Sequence, residues 1–129
     1  MRQDKRALRK ADVGMSRPVK LLFICSQNRM RSPTAEHMLH GLPGYAAKSA
    51  GLDPSSRTQV NKELISWADL IFVMEWRHLI ILDENFPNTL KRKQVICLHI
   101  PDEYQYMEPE LIRKLKTALA PHIELPGSD

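Results

Sequence analysis

The run Val19-Lys20-Leu21-Leu22-Phe23-Ile24 is near-continuously apolar and stops at Cys25. A stretch without polar alternation reads as a strand buried on both faces, the habit of a parallel sheet covered by helices. Parallel strands need crossover connections, so the rest of such a chain has to alternate strand and helix. The pattern does alternate. A helix is expected from Pro33 to about His40, with Ala35, Met38, Leu39 and Leu42 on one face, stopped by Gly41 and Pro43-Gly44. Tyr45 to Ala50 reads as a second strand and Gly51 to Ser56 as loop. Asn61 to Ala68 reads as a short helix, Leu70 to Met74 as a third strand, Glu75 to Asn85 as a helix and Gln94 to Leu98 as a fourth strand. Pro109 opens a last helix, whose Leu111, Ile112, Leu115 and Leu119 recur at helical spacing until Pro121. The expected fold is therefore α/β: three layers, with a right-handed, four-stranded parallel sheet between helices on both faces.

The loop leaving the first strand carries the chemistry. Cys25 and Arg31 bracket Ser26, Gln27, Asn28, Arg29 and Met30, and Ser32-Pro33 follows. Ser32 is a good N-cap and Pro33 suits the first helical position. Backbone N–H groups at a helix start have no helical partner, and the helix dipole adds positive character there. A tight loop turning its amides inward makes a nest for an oxyanion, and the same field favours a cysteine thiolate over a thiol. Arg31 adds a rigid fork of donors able to hold two oxygens of a tetrahedral oxyanion. In parallel sheets ligands bind beyond the carboxyl ends of the strands. Cys25 and Asp102 both fall at or after such ends, so the map brings them to one rim.

The stretch resembles the active-site signature of the low-molecular-weight protein tyrosine phosphatases, in which a Cys-x5-Arg-Ser loop follows the first strand. Further matches are Ser49-Ala50-Gly51, Phe72-Val73-Met74-Glu75 and Pro101-Asp102-Glu103-Tyr104, in the right order between about Lys20 and Ile112. The resemblance implies a flavodoxin-like topology of the phosphatase type. It implies Cys25 as nucleophile, Arg31 as phosphate clamp and Asp102 as general acid. Ser32 would be the sulfur's hydrogen-bond partner and Asn28 a loop-shaping residue. Ser26, Gln27, Arg29 and Met30 would line the phosphate site, with Tyr104 as a cleft wall. The implied substrate is a phosphorylated protein, phosphotyrosine first, or a small phosphomonoester, with phosphate, sulfate or vanadate as oxyanion ligands. No cofactor and no metal are implied. The chain departs from the family's common pattern at Gln27 (commonly glycine), Met30 (often a second cysteine) and Asp102-Glu103 (usually Asp-Pro). No aromatic occurs between Leu52 and Thr58, where the family's other cleft wall falls.

Two other functions share the oxyanion cradle. An arsenate reductase would need a cysteine relay, and Cys97, read as buried strand core, has no neighbouring cysteine. A non-catalytic phosphate-binding module would follow if Gln27 spoils the loop for chemistry. His37 and His40 lie three apart on one helix without a third ligand and read as exposed. Lys91-Arg92-Lys93 reads as a solvated loop, and Trp67 and Trp76 lack the interleaved basic residues of a nucleic-acid platform.

At 129 residues and 43% hydrophobic, the chain can bury one modest core. Residues 1–17 hold six Lys/Arg against Asp4 and Asp12, an excess equal to the whole formal net charge of +4. They are expected to form a basic flexible extension, or sequence upstream of a true start at Met15. Residues 18–124 form the expected phosphatase-like domain and 125–129 a flexible tail. Two cysteines, no long apolar run and no apolar leader suggest a reducing, cytoplasmic setting without membrane contact. A monomer or weak dimer is expected, and nucleic acid is not an expected partner.

Overall fold

The computed structural model describes residues 17–125; the basic stretch up to residue 16 and the last four residues lie outside them. Four parallel strands form one sheet: β1 (Val19–Cys25), β2 (Tyr45–Gly51), β3 (Leu70–Val73) and β4 (Val95–Cys97). Between and after them run α1 (Arg31–Leu39), α2 (Lys62–Trp67), α3 (Trp76–Asn85), the short α4 (Pro87–Leu90) and α5 (Pro109–Leu119). The strand order is β2-β1-β3-β4. From β1 the chain crosses first to one side and then returns to the other, which opens a crevice beyond the carboxyl ends of β1 and β3.

The apolar pattern of β1 has the expected cause. Leu21, Phe23 and Cys25 face a cluster with Ala35 and Leu39 of α1 and Leu111, Leu115 and Leu119 of α5. Leu22 and Ile24 face a second cluster with Ile65 of α2, Leu82 of α3 and Leu90 of α4. Phe23 and Phe72, on neighbouring strands, stack with centroids 5.3 Å apart. Register sets Cys25 beside Gly51, Ile24 beside Val73 and Val73 beside Cys97, so the four strand ends finish at one rim. Among the described residues, no helix is long and apolar enough to cross a membrane.

Two expectations change. The helix after the loop starts at Arg31 with Met30 as N-cap, not with Ser32 as cap and Pro33 first. Ser32 instead sits inside the first turn, where its hydroxyl is used by neighbours of the loop. Pro33 still lies within the first turn, where a missing N–H breaks no helical bond. Cys97 is half-buried at the end of edge strand β4 rather than sealed in the core, because β4 has a neighbour on one side only.

Candidate active site

The loop after β1 is shaped by where its carbonyls go. Those of Cys25, Ser26 and Gln27 accept from the N–H groups of Leu52, Asp53 and Arg57 on the loop after β2, at 3.1, 2.8 and 3.4 Å. In a trans peptide the N–H points opposite to the carbonyl. The N–H groups of Ser26, Gln27 and Asn28 are thereby turned the other way, toward the mouth of the loop. Asn28 completes the curl with a left-handed backbone (φ 56°), which asparagine tolerates better than most residues.

The buried Asn28 amide donates to Ser32 Oγ at 3.0 Å and to Ser49 Oγ at 2.9 Å, and Ser49 in turn donates to Glu36. Cys25 Sγ lies 3.0 Å from Ser32 Oγ. Because Ser32 already accepts from Asn28, its own proton is available to the sulfur; the other acceptor, the Ala50 carbonyl, is farther at 3.4 Å.

Arg31 is buried, at 2% exposure, yet its charge is matched. Its Nη1 donates to Glu75 and, at 2.8 Å, to the Ile100 carbonyl, and its Nε lies 3.9 Å from Asp102 Oδ1. Asp102 itself is 64% exposed at the rim. Cys25, Ser26, Gln27, Arg29, Met30, Arg31, Arg77 and Asp102 together line an open pocket of about 390 Å³. Of the residues expected at the site, Asn28 and Ser32 stand behind this lining. Tyr104 does not line it; half-buried, its ring packs against the apolar cluster under α1 and α5.

No family model matches the chain. A protein-arginine-phosphatase of Geobacillus stearothermophilus is 31% identical over an alignment of 94 residues, and the match covers 54% of this chain and 64% of that relative's length. Among solved structures, the tyrosine phosphatase Wzb from Escherichia coli K30 in complex with phosphate superposes with a TM-score of 0.63 at 22% identity, over 79% of this chain and 94% of Wzb. The YwlE arginine phosphatase from Geobacillus stearothermophilus does so with a TM-score of 0.57 at 24% identity, over 84% of this chain and 99% of YwlE. The chain has the fold of the low-molecular-weight phosphatases.

Within that fold, the start of α3 supplies residues that the sequence did not place at the site. Glu75 caps α3 and pairs with both Arg31 and Arg77, the latter at 2.9 Å. Burial works to raise the Glu75 carboxyl, but hydrogen bonds from Arg77 and Arg31, and the charge of both, hold it down at about 2. His78 is fully buried. Burial, with the positive charge of Arg31 and Arg77, pushes its imidazole down to about 4 and keeps it neutral. The available signal was positional: Glu75-Trp76-Arg77-His78 directly follows a buried strand that ends at the functional rim.

These groups make the fold acid-sensitive. The unfolded chain protonates His78 near its ordinary pKa, so its contribution is complete above about 6.5 and is lost as pH falls toward 4. His122, also lowered by burial, acts in the same direction, and Glu75 extends the loss from about 4.5 down to 2. Melting temperatures measured between pH 7.5 and 4.5 are expected to fall with acidity, and the slope should flatten in His78→Gln.

Gly51 is required by close approach. A Cβ there would meet Ser56 Oγ at 2.2 Å and the Asn28 backbone nitrogen at 2.9 Å. The second contact is to the loop itself and cannot rotate away. Gly51→Ala is expected to destabilise the protein by about 1–3 kcal/mol, as overpacking generally does. Denaturant unfolding together with phosphatase rates checks this, since the displaced loop should also lose activity.

Proposed function

We propose that the chain is a cysteine-dependent phosphomonoester hydrolase acting on a phosphorylated protein, with phosphotyrosine as the preferred class. The observation that carries this reading is the meeting of Cys25, Arg31 and Asp102 around one pocket whose backbone amides are turned inward. Cys25 attacks phosphorus in line while Arg31 and the loop N–H groups hold the equatorial oxygens. Asp102 gives a proton to the leaving oxygen, then as carboxylate takes one from the water that cleaves the phosphocysteine. These groups suffice, so the proposed chemistry calls on no metal ion. Cys97, absent from the pocket lining and 3.5 Å from His99 Nδ1, gives no support to an arsenate-reducing relay.

The arginine-phosphatase relative supports a second reading, cleavage of the P–N bond of phosphoarginine. Arg29 and Arg77 at the pocket lining favour the first, because cations there repel a guanidinium leaving group and attract the acidic surroundings of a phosphotyrosine. Hydrolysis of matched phosphotyrosine and phosphoarginine peptides decides between them, with at least a tenfold preference for phosphotyrosine expected on about 1.4 kcal/mol of discrimination. The two free cysteines support a reducing, cytoplasmic setting.

Asp102→Asn separates the acid role from binding. With phenyl phosphate, a poor leaving group, kcat is expected to fall about a hundredfold. With p-nitrophenyl phosphate, whose leaving oxygen needs little help, the first step should fall much less. Equal losses on the two esters would argue that Asp102 acts through Arg31 instead.

A further inference from the structure

We infer that the Ser26 hydroxyl is an obligate hydrogen-bond donor to a non-bridging oxygen of the phosphoryl group in the pocket, oriented for this by His78 and Arg77. The inference rests on the phosphatase reading above and assigns Ser26 a part in it that the loop's spacing does not reveal.

The argument runs along a chain of protons. The Glu75 backbone N–H donates to His78 Nδ1 at 3.1 Å, so in the neutral ring the proton sits on Nε2. His78 Nε2 is 2.9 Å from Ser26 Oγ and therefore donates to it. Arg77 Nη2 donates to the same oxygen at 3.0 Å. A hydroxyl has two acceptor lone pairs and one proton. Both lone pairs of Ser26 are thus occupied by nitrogen donors, and its proton must point elsewhere. Among the described residues Ser26 Oγ has no other hydrogen-bond partner. Ser26 lines the 390 Å³ pocket together with Cys25 and Arg31, which gives its hydroxyl a ligand-accessible direction.

The orienting groups are themselves fixed. Arg77 is held by Glu75, which also pairs with Arg31, and His78 is fully buried. Ser26 cannot turn to accept from a substrate without losing one of its two donors. It is therefore built to recognise an acceptor-only group, which a phosphate dianion is. His78 and Arg77 are positioning residues in this arrangement, and Ser26 touches the substrate.

The test compares Ser26→Ala and Ser26→Thr with wild type, using p-nitrophenyl phosphate turnover and inhibition by inorganic phosphate. Ser26→Ala is expected to raise the phosphate inhibition constant and lower kcat/KM, each by about tenfold or more, the scale of one hydrogen bond to a charged group. Its melting temperature should fall as well, because the buried His78 Nε2–H loses its acceptor, so the binding constants are read at a temperature where both variants are folded. Ser26→Thr keeps the hydroxyl and should return both constants to within about threefold of wild type. A wild-type phosphate constant in Ser26→Ala overturns the inference, as does a threonine variant no better than alanine. Calorimetric titration with phosphate gives the same comparison without turnover. An inactive wild type that still binds phosphate through Ser26 would therefore refute the hydrolase reading alone.

Discussion

Cys25→Ser is expected to lose at least about ten-thousandfold in turnover of p-nitrophenyl phosphate, on the scale seen when a nucleophile is removed from a preorganised site. The loss follows from what surrounds the sulfur. At 3% exposure, Cys25 is buried at the floor of the loop, with the Ser32 hydroxyl 3.0 Å away. A cysteine sulfur is intrinsically the stronger nucleophile, whereas a serine hydroxyl in the same place has no adjacent base to take its proton. The oxyanion cradle is backbone and Arg31, neither of which the substitution touches. Phosphate should therefore still bind and still raise the melting temperature of Cys25→Ser, in proportion to the logarithm of its concentration. Retention of more than a tenth of the wild-type rate would mean that a different group attacks phosphorus. Wild type that binds phosphate but hydrolyses nothing at any pH would instead favour a binding module.

The parts of this site that sequence reveals are those fixed by local rules. A doubly apolar strand, a Cys-x5-Arg spacing and a Ser-Pro helix start place the loop at the rim of a parallel sheet with no tertiary information. Asp102 also follows from position, because it comes after the fourth strand. The residues that hold the loop do not follow, since they depend on which side chain reaches which oxygen. Spacing puts Ser26 at the phosphate site but not the direction of its hydroxyl, which depends on His78 and Arg77 converging on it from α3. Ser32 reads as a cap by propensity, but Asn28 and Cys25 compete for its hydroxyl and the helix starts at Arg31 instead. Tyr104 illustrates the opposite error: spacing set it by the acid, while its ring packs against the apolar cluster. The four-residue α4 has no counterpart in the sequence pattern because the segment is too short to show a period.

Arg31→Lys is expected to cost about a thousandfold in kcat/KM, although it keeps the charge. Loss of one preorganised donor at a developing oxyanion generally costs about a hundred- to a thousandfold. Arginine and lysine differ most where a planar fork is needed. Here Nη1 of the guanidinium is already committed to Glu75 and the Ile100 carbonyl, which leaves Nε and Nη2 as donors for the pocket that Arg31 lines. A lysine ammonium is a single point of donors. Paired with Glu75 it is drawn to the back wall, and turned toward phosphate it leaves the Ile100 carbonyl without its donor. The transition state, whose three equatorial oxygens lie nearly in one plane, fits a planar fork better than the tetrahedral substrate does, so kcat should fall further than KM rises. Glu75→Gln offers the matching control. It leaves the fork intact but releases its anchor, along with that of Arg77, and should cost about tenfold. If Glu75→Gln proved as damaging as Arg31→Lys, the carboxylate would have to act on the reaction itself rather than by holding the clamp, since every contact it makes here is to Arg31, Arg77 or the start of α3.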